Sequence, residues 1–206
     1  MRPGAAEPEV ATPAEKDGAT GLALLEDLAV AAQGGDADAA GTLWGALRPR
    51  LLRIGLALGV SPSDVADLVQ DSILAAHRSL SKFDPAKGSV EAWLSTILVR
   101  RTRNLFRSER RRLGLVARLS SILPRPQVRA GLDAVEARIT LQRLLTSLTE
   151  SQREVVALYE IGELRAEETA RLLRITAAGV RSIARDARIR LSEAAADPRP
   201  SQEERR

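Results

Sequence analysis

From Leu22 onward, apolar residues recur at three- and four-residue intervals, the period of a helix that buries one face. Leu22 to Gln33 makes a first helical run that ends at Gly34-Gly35, a stop signal. Asp36 is positioned to cap a longer helix carrying Leu43, Trp44, Leu47, Leu51, Ile54 and Leu58, and Pro49 inside it is expected to kink or divide it. Ser61-Pro62-Ser63-Asp64 has the composition of a helix start: a capping hydroxyl, proline at the first helical position, then an acid in the first turn. The stripe Val65, Val69, Ile73, Ala76 and Leu80 follows it. Phe83 to Gly88 reads as a turn, and Ser89 as the cap of a helix running from Val90 to about Arg112.

Residues 113–132 change character, with Gly114, Pro124, Pro126 and Gly131 marking an interdomain linker. The helical signal resumes near Asp133 and runs to Leu148. Thr149-Glu150-Ser151-Gln152 is a capping box ahead of a helix with Val155, Val156, Leu158 and Tyr159, which stops near Gly162. A short helix over 165–173, a tight break at Arg174-Ile175-Thr176 and a long helix to about Ala195 complete the pattern. Residues 1–21 and 197–206 lack periodicity and read as tails, the first of them disordered. No β signal stands out. The expectation is an all-α chain: two small helical domains, 22–112 and 133–196, joined by a flexible linker, the second containing a helix-turn-helix.

With 28% charged and 44% hydrophobic residues in 206, the chain has the composition of a folded domain pair rather than a disordered one. No stretch approaches the ~20 apolar residues of a membrane span, and the acid-bearing start lacks the apolar run of a signal peptide. The absence of cysteine excludes disulfides, thiolate zinc sites and a cysteine nucleophile, and fits a reducing, cytoplasmic setting. A single histidine, His77, removes most imidazole chemistry and is expected to pack rather than titrate. Trp44, Trp93 and Phe83 are expected in packing roles. No cofactor, metal site or small-molecule substrate is expected, and no enzymatic activity.

Charge distribution says more than the net charge of +4. All basic residues except Lys16, Lys82 and Lys87 are arginine, whose planar fork grips phosphates and keeps its charge. Residues 1–46 hold eight acids against Arg2 and Lys16, whereas residues 100–112 hold seven arginines against Glu109 alone. A polyanion partner for the middle of the chain follows.

Three features carry candidate function. Ala170, Leu173, Ile175, Val180, Ala184, Ala187 and Leu191 form an apolar seam through the last two helices, as in a helix-turn-helix, and Arg181, Arg185 and Arg188 lie away from it. Such a row suits the major groove, although two short amphipathic helices with a solvated face share the pattern. Arg100, Arg103, Arg107 and Arg111 lie on one strip and suit phosphate neutralisation; six net positive charges in thirteen residues repel one another without a counter-charge. Asp64, Asp67 and Asp71 share a helix face with Leu68 and Gln70 alongside, either a solvated face or a patch for a basic protein surface. A nuclease using these acids would need metal ligands or a histidine that the sequence does not bring to them.

The ordered set of motifs resembles a family. Asp64-Val-Ala-Asp67-Leu-Val-Gln70-Asp71, then Phe83-Asp84-Pro85, Gly88-Ser89 and Trp93-Leu94, is similar to the core- and promoter-binding domain of bacterial extracytoplasmic-function (ECF) sigma factors. Leu148-Thr-Glu-Ser-Gln152-Arg153-Glu154-Val155 and the helix-turn-helix resemble their second DNA-binding domain, and the resemblance spans about residues 22–195. It implies that Asp64, Asp67, Leu68, Gln70 and Asp71 dock on the β′ clamp helices of RNA polymerase core, with the β subunit a further contact. Lys87, Gly88, Ser89, Arg100, Arg101, Arg103, Asn104 and Arg107 then belong to the part that binds and opens the minus-ten element. Thr176, Ala177, Gly179, Arg181, Ser182, Arg185 and Arg188 belong to the part that reads the minus-thirty-five element. Polymerase core and promoter DNA are the implied partners, and an anti-sigma factor is a further one. The chain departs from the family pattern at Arg100, often asparagine, at Arg165, often a capping serine, at Arg174, often glycine, and at Gly179 and Ile183. A left-handed backbone at Arg174 would cost roughly 1 kcal/mol. A helix-turn-helix regulator acting without polymerase, and a degenerate factor reading part of a promoter, are the competing readings.

Overall fold

A computed structural model describes residues 13–119 and 144–196, and every regular element among them is helical. The expected linker from 120 onward, the start of the helix expected at Asp133 and the tail 197–206 lie outside the described residues. Helix α1 (Pro13–Gln33) begins inside the stretch expected to lack structure. Proline is well suited to a first helical position, because the N–H it lacks has no partner there.

Helix α2 (Ala37–Ala57) starts where Asp36 predicts: its carboxylate accepts from the backbone N–H of Asp38 at 3.0 Å and of Ala39 at 2.9 Å. Pro49 does not divide it. Leu43 and Leu47 before the proline and Leu51 and Ile54 after it are buried in one core, which offsets a penalty of about 3 kcal/mol. Helix α3 (Val65–Ser79) begins beyond the start signal read at Ser61. The Ser61 hydroxyl donates to the Asp64 carboxylate at 2.7 Å, and its carbonyl accepts from the Asp64 and Val65 amides at 3.0 Å. A hydroxyl engaged with an acid, ahead of a turn, is not free to cap.

Two short 3₁₀ turns, Leu80–Lys82 and Pro85–Lys87, lead to Ser89. Gln33 Nε2 donates to the carbonyls of Leu80 at 2.7 Å and Phe83 at 2.8 Å, fastening the end of α1 to this turn. Helix α4 (Val90–Leu119) is capped by Ser89, whose hydroxyl accepts from the Ala92 amide at 3.2 Å. It runs past Arg112 into the stretch expected to be linker. Leucine and arginine are good helix formers, and one glycine, Gly114, costs only about 1 kcal/mol.

The second region opens on the reciprocal capping box read from sequence: Gln152 N donates to Thr149 Oγ1 at 3.3 Å, and Thr149 N to Gln152 Oε1 at 3.1 Å. Helix α5 (Glu150–Val155) passes into a π-helical turn (Val156–Ile161) that ends at Gly162. Helix α6 (Ala166–Leu173) and helix α7 (Ala177–Ala196) enclose Arg174, which is left-handed at φ 60°, ψ 43°. Thr176 caps α7 by accepting from the Gly179 amide at 3.0 Å. Ala170, Val180 and Ala184 are buried with Val155 and Ala166, and Ala187 with Leu148 and Val156, whereas Ile175 leaves the expected seam and is 38% exposed.

The two regions share a core. Ala157, Leu158 and Leu164 join Leu43, Ile54, Val69, Leu94 and Leu98 in one buried cluster. Gly162 allows the approach: a Cβ there would lie 2.9 Å from Ile54 Cδ1 and 2.7 Å from the Leu158 carbonyl oxygen. Leu158→Ala is expected to cost about 2–5 kcal/mol. Both tryptophans, Trp44 and Trp93, lie in the first region. The urea midpoint followed by tryptophan fluorescence is therefore expected to fall together with that followed by circular dichroism. An unmoved fluorescence midpoint contradicts the shared core.

Candidate functional site

The acidic face of α3 is displayed. Asp64, Asp67, Gln70 and Asp71 are exposed, and Leu68 is half-buried between them and the core. Asp71 approaches Arg101 of α4 at 3.6 Å, while Asp64 is held by Ser61. Leu74, three residues beyond Asp71 on the same face, is 45% exposed. The sequence reading passed over it; its signal was an apolar residue lying off the stripe that Val65, Val69 and Ala76 bury.

The expected minus-ten residues divide. Arg100, Asn104 and Arg107 are exposed, and with Thr96, Arg103, Leu172 and Arg174 they line a cleft of about 570 Å³. Arg101 turns toward α3 instead. Arg103 is engaged by Glu154 of α5 in a two-pronged pair, Nε and Nη2 donating at 2.7 and 2.8 Å. Glu154 thereby raises the already high pKa of the Arg103 guanidinium. Arg111 is exposed, its Nε 3.3 Å from the Arg107 carbonyl oxygen.

In the loop, Lys87 is exposed and paired with Asp84 at 2.8 Å. Hydrogen bonding between the two lowers the Asp84 carboxyl and raises the Lys87 amine. Gly88 has φ +147°, a conformation that favours glycine. Ser89 is buried, so its side chain caps α4 rather than facing a ligand. Phe83 is buried with its ring tilted 5.6 Å from that of Trp93, consistent with the packing role read for it. His77 is exposed, accepting from Trp44 Nε1 at 3.4 Å, so it packs only against a ring edge.

On α7, Arg181, Ser182, Arg185 and Arg188 are exposed, with Ala177 and Gly179 half-buried. Arg181 lies 3.8 Å from Glu167 and Arg185 3.8 Å from Asp186, both loose surface pairs. Arg188 is tied to Glu160 of the π turn at 2.6 Å, leaving the first two as the outward pair nearer the helix start. Thr176 serves as the cap. Ile183, off the family pattern, packs against the helix-turn-helix core.

Two buried carboxylates lie where the regions meet. Burial raises the Glu91 carboxyl despite the facing Arg50 guanidinium, which also reaches Glu163 at 2.8 Å. Burial alone would raise Glu168 as well. Hydrogen bonds from Arg165 and from the Ser89 amide at 2.9 Å override it and hold Glu168 at about 2. Glu168 also accepts from the Arg165 amide at 3.3 Å, supplying half a capping box where a serine cap is missing.

An acid-faced helix ahead of an arginine-rich helix, followed by a helix-turn-helix, defines the two-region organisation of a sigma-70-type initiation factor. Residues 43–112 match Sigma-70 region 2 and residues 138–191 match Sigma-70, region 4. RNA polymerase sigma factor CnrH of Cupriavidus metallidurans is 31% identical over 178 residues, 80% of this chain and 91% of that protein. ECF RNA polymerase sigma factor SigM of Mycobacterium tuberculosis is 30% identical over 143 residues, 69% of this chain and 70% of that one. The solved structure of CnrH in complex with the cytosolic domain of CnrY superposes with a TM-score of 0.66 at 26% identity, covering 85% of this chain and 99% of that one. Sigma factor RpoE from Bartonella quintana, solved in complex with the anti-sigma factor NepR, gives 0.52 at 26% identity, over 75% and 94%. The chain belongs to the ECF family of bacterial RNA polymerase sigma factors. As such it directs core polymerase to specific promoters and promotes DNA opening at initiation. Among the described residues, no helix is long and apolar enough to cross a membrane.

The depressed Glu168 carboxyl has a signed consequence. Its contribution to stability is complete above the unfolded value of 4.5 and is lost as pH falls toward about 2. The raised Glu91 carboxyl acts oppositely: its burial penalty is present at neutral pH and is relieved as pH falls toward 4.5. Glu168→Gln is expected to flatten the fall in urea midpoint between pH 4.5 and 2. An equally steep fall in the variant contradicts this assignment.

Proposed function

We propose that this sigma factor holds core polymerase through α3 and promoter DNA through α4 and α7, with 22–112 and 133–196 as its working units. Asp64, Asp67, Leu68, Gln70 and Asp71 dock on the basic β′ clamp helices, and Leu74 joins them. One observation supports this most: an exposed leucine beside two exposed aspartates. A merely solvated face has no use for it, whereas an interface sets an apolar centre inside a charged rim.

Lys87, Gly88, Arg100, Asn104 and Arg107 engage the minus-ten element. Strand opening there is driven by preferential binding of unpaired DNA, whose phosphates the guanidiniums neutralise and whose bases stack on side chains. Arg181 and Arg185 engage the minus-thirty-five duplex, with Ser182 between them. Two modest contacts on one chain, both carried by polymerase, give selectivity through effective concentration. The protein works in the cytoplasm without covalent chemistry or cofactor, and an anti-sigma partner is supported by the likeness to sigma factor RpoE, solved with the anti-sigma factor NepR.

Run-off transcription with purified core polymerase tests the assignment. Asp67→Arg with Asp71→Arg is expected to abolish core binding in a pull-down while leaving the helical circular dichroism intact; retained core overturns the docking face. Arg181→Ala with Arg185→Ala is expected to spare core binding and to erase upstream footprint protection, at about 1–3 kcal/mol per lost base contact. An intact upstream footprint overturns the role of α7.

A further inference from the structure

Two clefts open side by side where α4 meets α6. The first, about 370 Å³, runs from the loop before α4 past the half-buried Trp93. The second, about 570 Å³, continues along α4. Thr96, Leu172 and Arg174 line both, so the two form one groove with two ends. Each volume falls within the roughly 300–1,000 Å³ of small-molecule sites.

The ends differ in charge. Asp84 and Glu168 border the first cleft together with Lys82, Lys87 and Arg171, so cations and carboxylates are mixed there. No carboxylate lines the second, which holds Arg100, Arg103, Arg107 and Arg174 over an apolar floor of Val99 and Leu173. Glu154 clasps Arg103 from outside that cleft. Arg100, Arg107 and Arg174 are exposed, and among the described residues none of the three is in an ion pair. Guanidiniums gathered in this way repel one another, and an oligophosphate relieves the repulsion while accepting their planar forks.

Arg174 is the cation that the second region adds to the arginine end. It does so from a left-handed backbone that favours glycine. At the other end Trp93 offers an aromatic surface and Leu172 an apolar one, the chemistry on which a planar base stacks.

We propose that this groove binds a nucleoside polyphosphate. Its phosphates lie among Arg100, Arg107 and Arg174, and its base lies in the first cleft against Trp93 and Leu172. The ligand touches both regions and ties α6 to α4. The site stands whether or not the same arginines also meet DNA, because it is defined by the groove, its charge and its aromatic end.

Isothermal titration calorimetry on the full-length chain tests this with ATP, inorganic tripolyphosphate and adenosine as probes. The buffer is magnesium-free and near 0.15 M ionic strength, where loose surface attraction is screened. ATP is expected to bind at one site, tripolyphosphate at least about tenfold more weakly, and adenosine not measurably. Arg174→Gly removes the guanidinium and gives the turn the residue its backbone favours, so the fold is retained. It is expected to weaken ATP at least about tenfold. Arg100→Ala with Arg107→Ala, on an exposed helix face, is expected to weaken it further. Arg190→Ala removes an exposed arginine of α7 that lines neither cleft and is expected to leave ATP affinity unchanged. Absence of ATP binding, equal affinity for ATP and tripolyphosphate, or unchanged affinity in either cleft variant overturns the proposal. So does an equal loss in Arg190→Ala, the mark of attraction to bulk charge alone.

Discussion

Insertion of Ala157, Leu158 and Leu164 into the core built by α2, α3 and α4 is the contact on which the rest depends. It is apolar and non-directional, and by itself would tolerate several orientations of the second region. Two local features narrow the choice. The π turn over Val156–Ile161 presents more residues per turn than an α-helix would, burying Val156, Ala157 and Leu158 in succession. Gly162 then lets that backbone lie against Ile54 where any side chain would collide. With depth fixed in this way, Glu154, Glu163 and Glu168 are brought to Arg103, Arg50 and the Ser89 amide.

The charges at this junction are unequal partners. Glu168 accepts three hydrogen bonds at the start of α6, and one of its donors, the Ser89 amide, lies at the start of α4. A carboxylate near helix N-termini is favoured by their dipoles, and its depressed pKa follows from the donors around it. Glu91 has Arg50 for company yet remains raised, chiefly because it is buried, with Glu168 and Glu163 adding negative charge beside it. One carboxylate therefore fastens the regions, while the other carries a desolvation penalty within the first.

What the sequence made legible was local. Asp36 capping α2, Ser89 capping α4, Thr149 with Gln152 ahead of α5 and the left-handed Arg174 all depend on residues within four positions of each other, and short-range chemistry leaves a short-range signature. Misreadings fell where a distant or competing partner decided. Ser61 had the composition of a cap but found Asp64 first. Pro49 was expected to kink or divide α2; it does not divide it, and buried leucines flank it on both sides. The tie from the Ser89 amide to Glu168 spans 79 residues, and no periodicity encodes such a contact.

The arginine cluster shows how charge arithmetic along a sequence can point correctly for an incomplete reason. Six uncompensated charges in residues 100–112 argue for a polyanion only while no acid elsewhere reaches them. The fold supplies two: Asp71 approaches Arg101, and Glu154 clasps Arg103. Self-repulsion is thus relieved partly from within, and the case for DNA must rest on what remains, the exposed Arg100, Arg107 and Arg111 with Arg174 across the cleft. Arg174 accepts a backbone strain of roughly 1 kcal/mol in the turn, and its side chain lines this cleft rather than the outer face of α7. Its departure from glycine therefore concerns the junction between regions more than the reading of duplex DNA. It brings a fourth guanidinium to a cleft that already holds three, and only the Glu154 carboxylate on Arg103 offsets the repulsion from within.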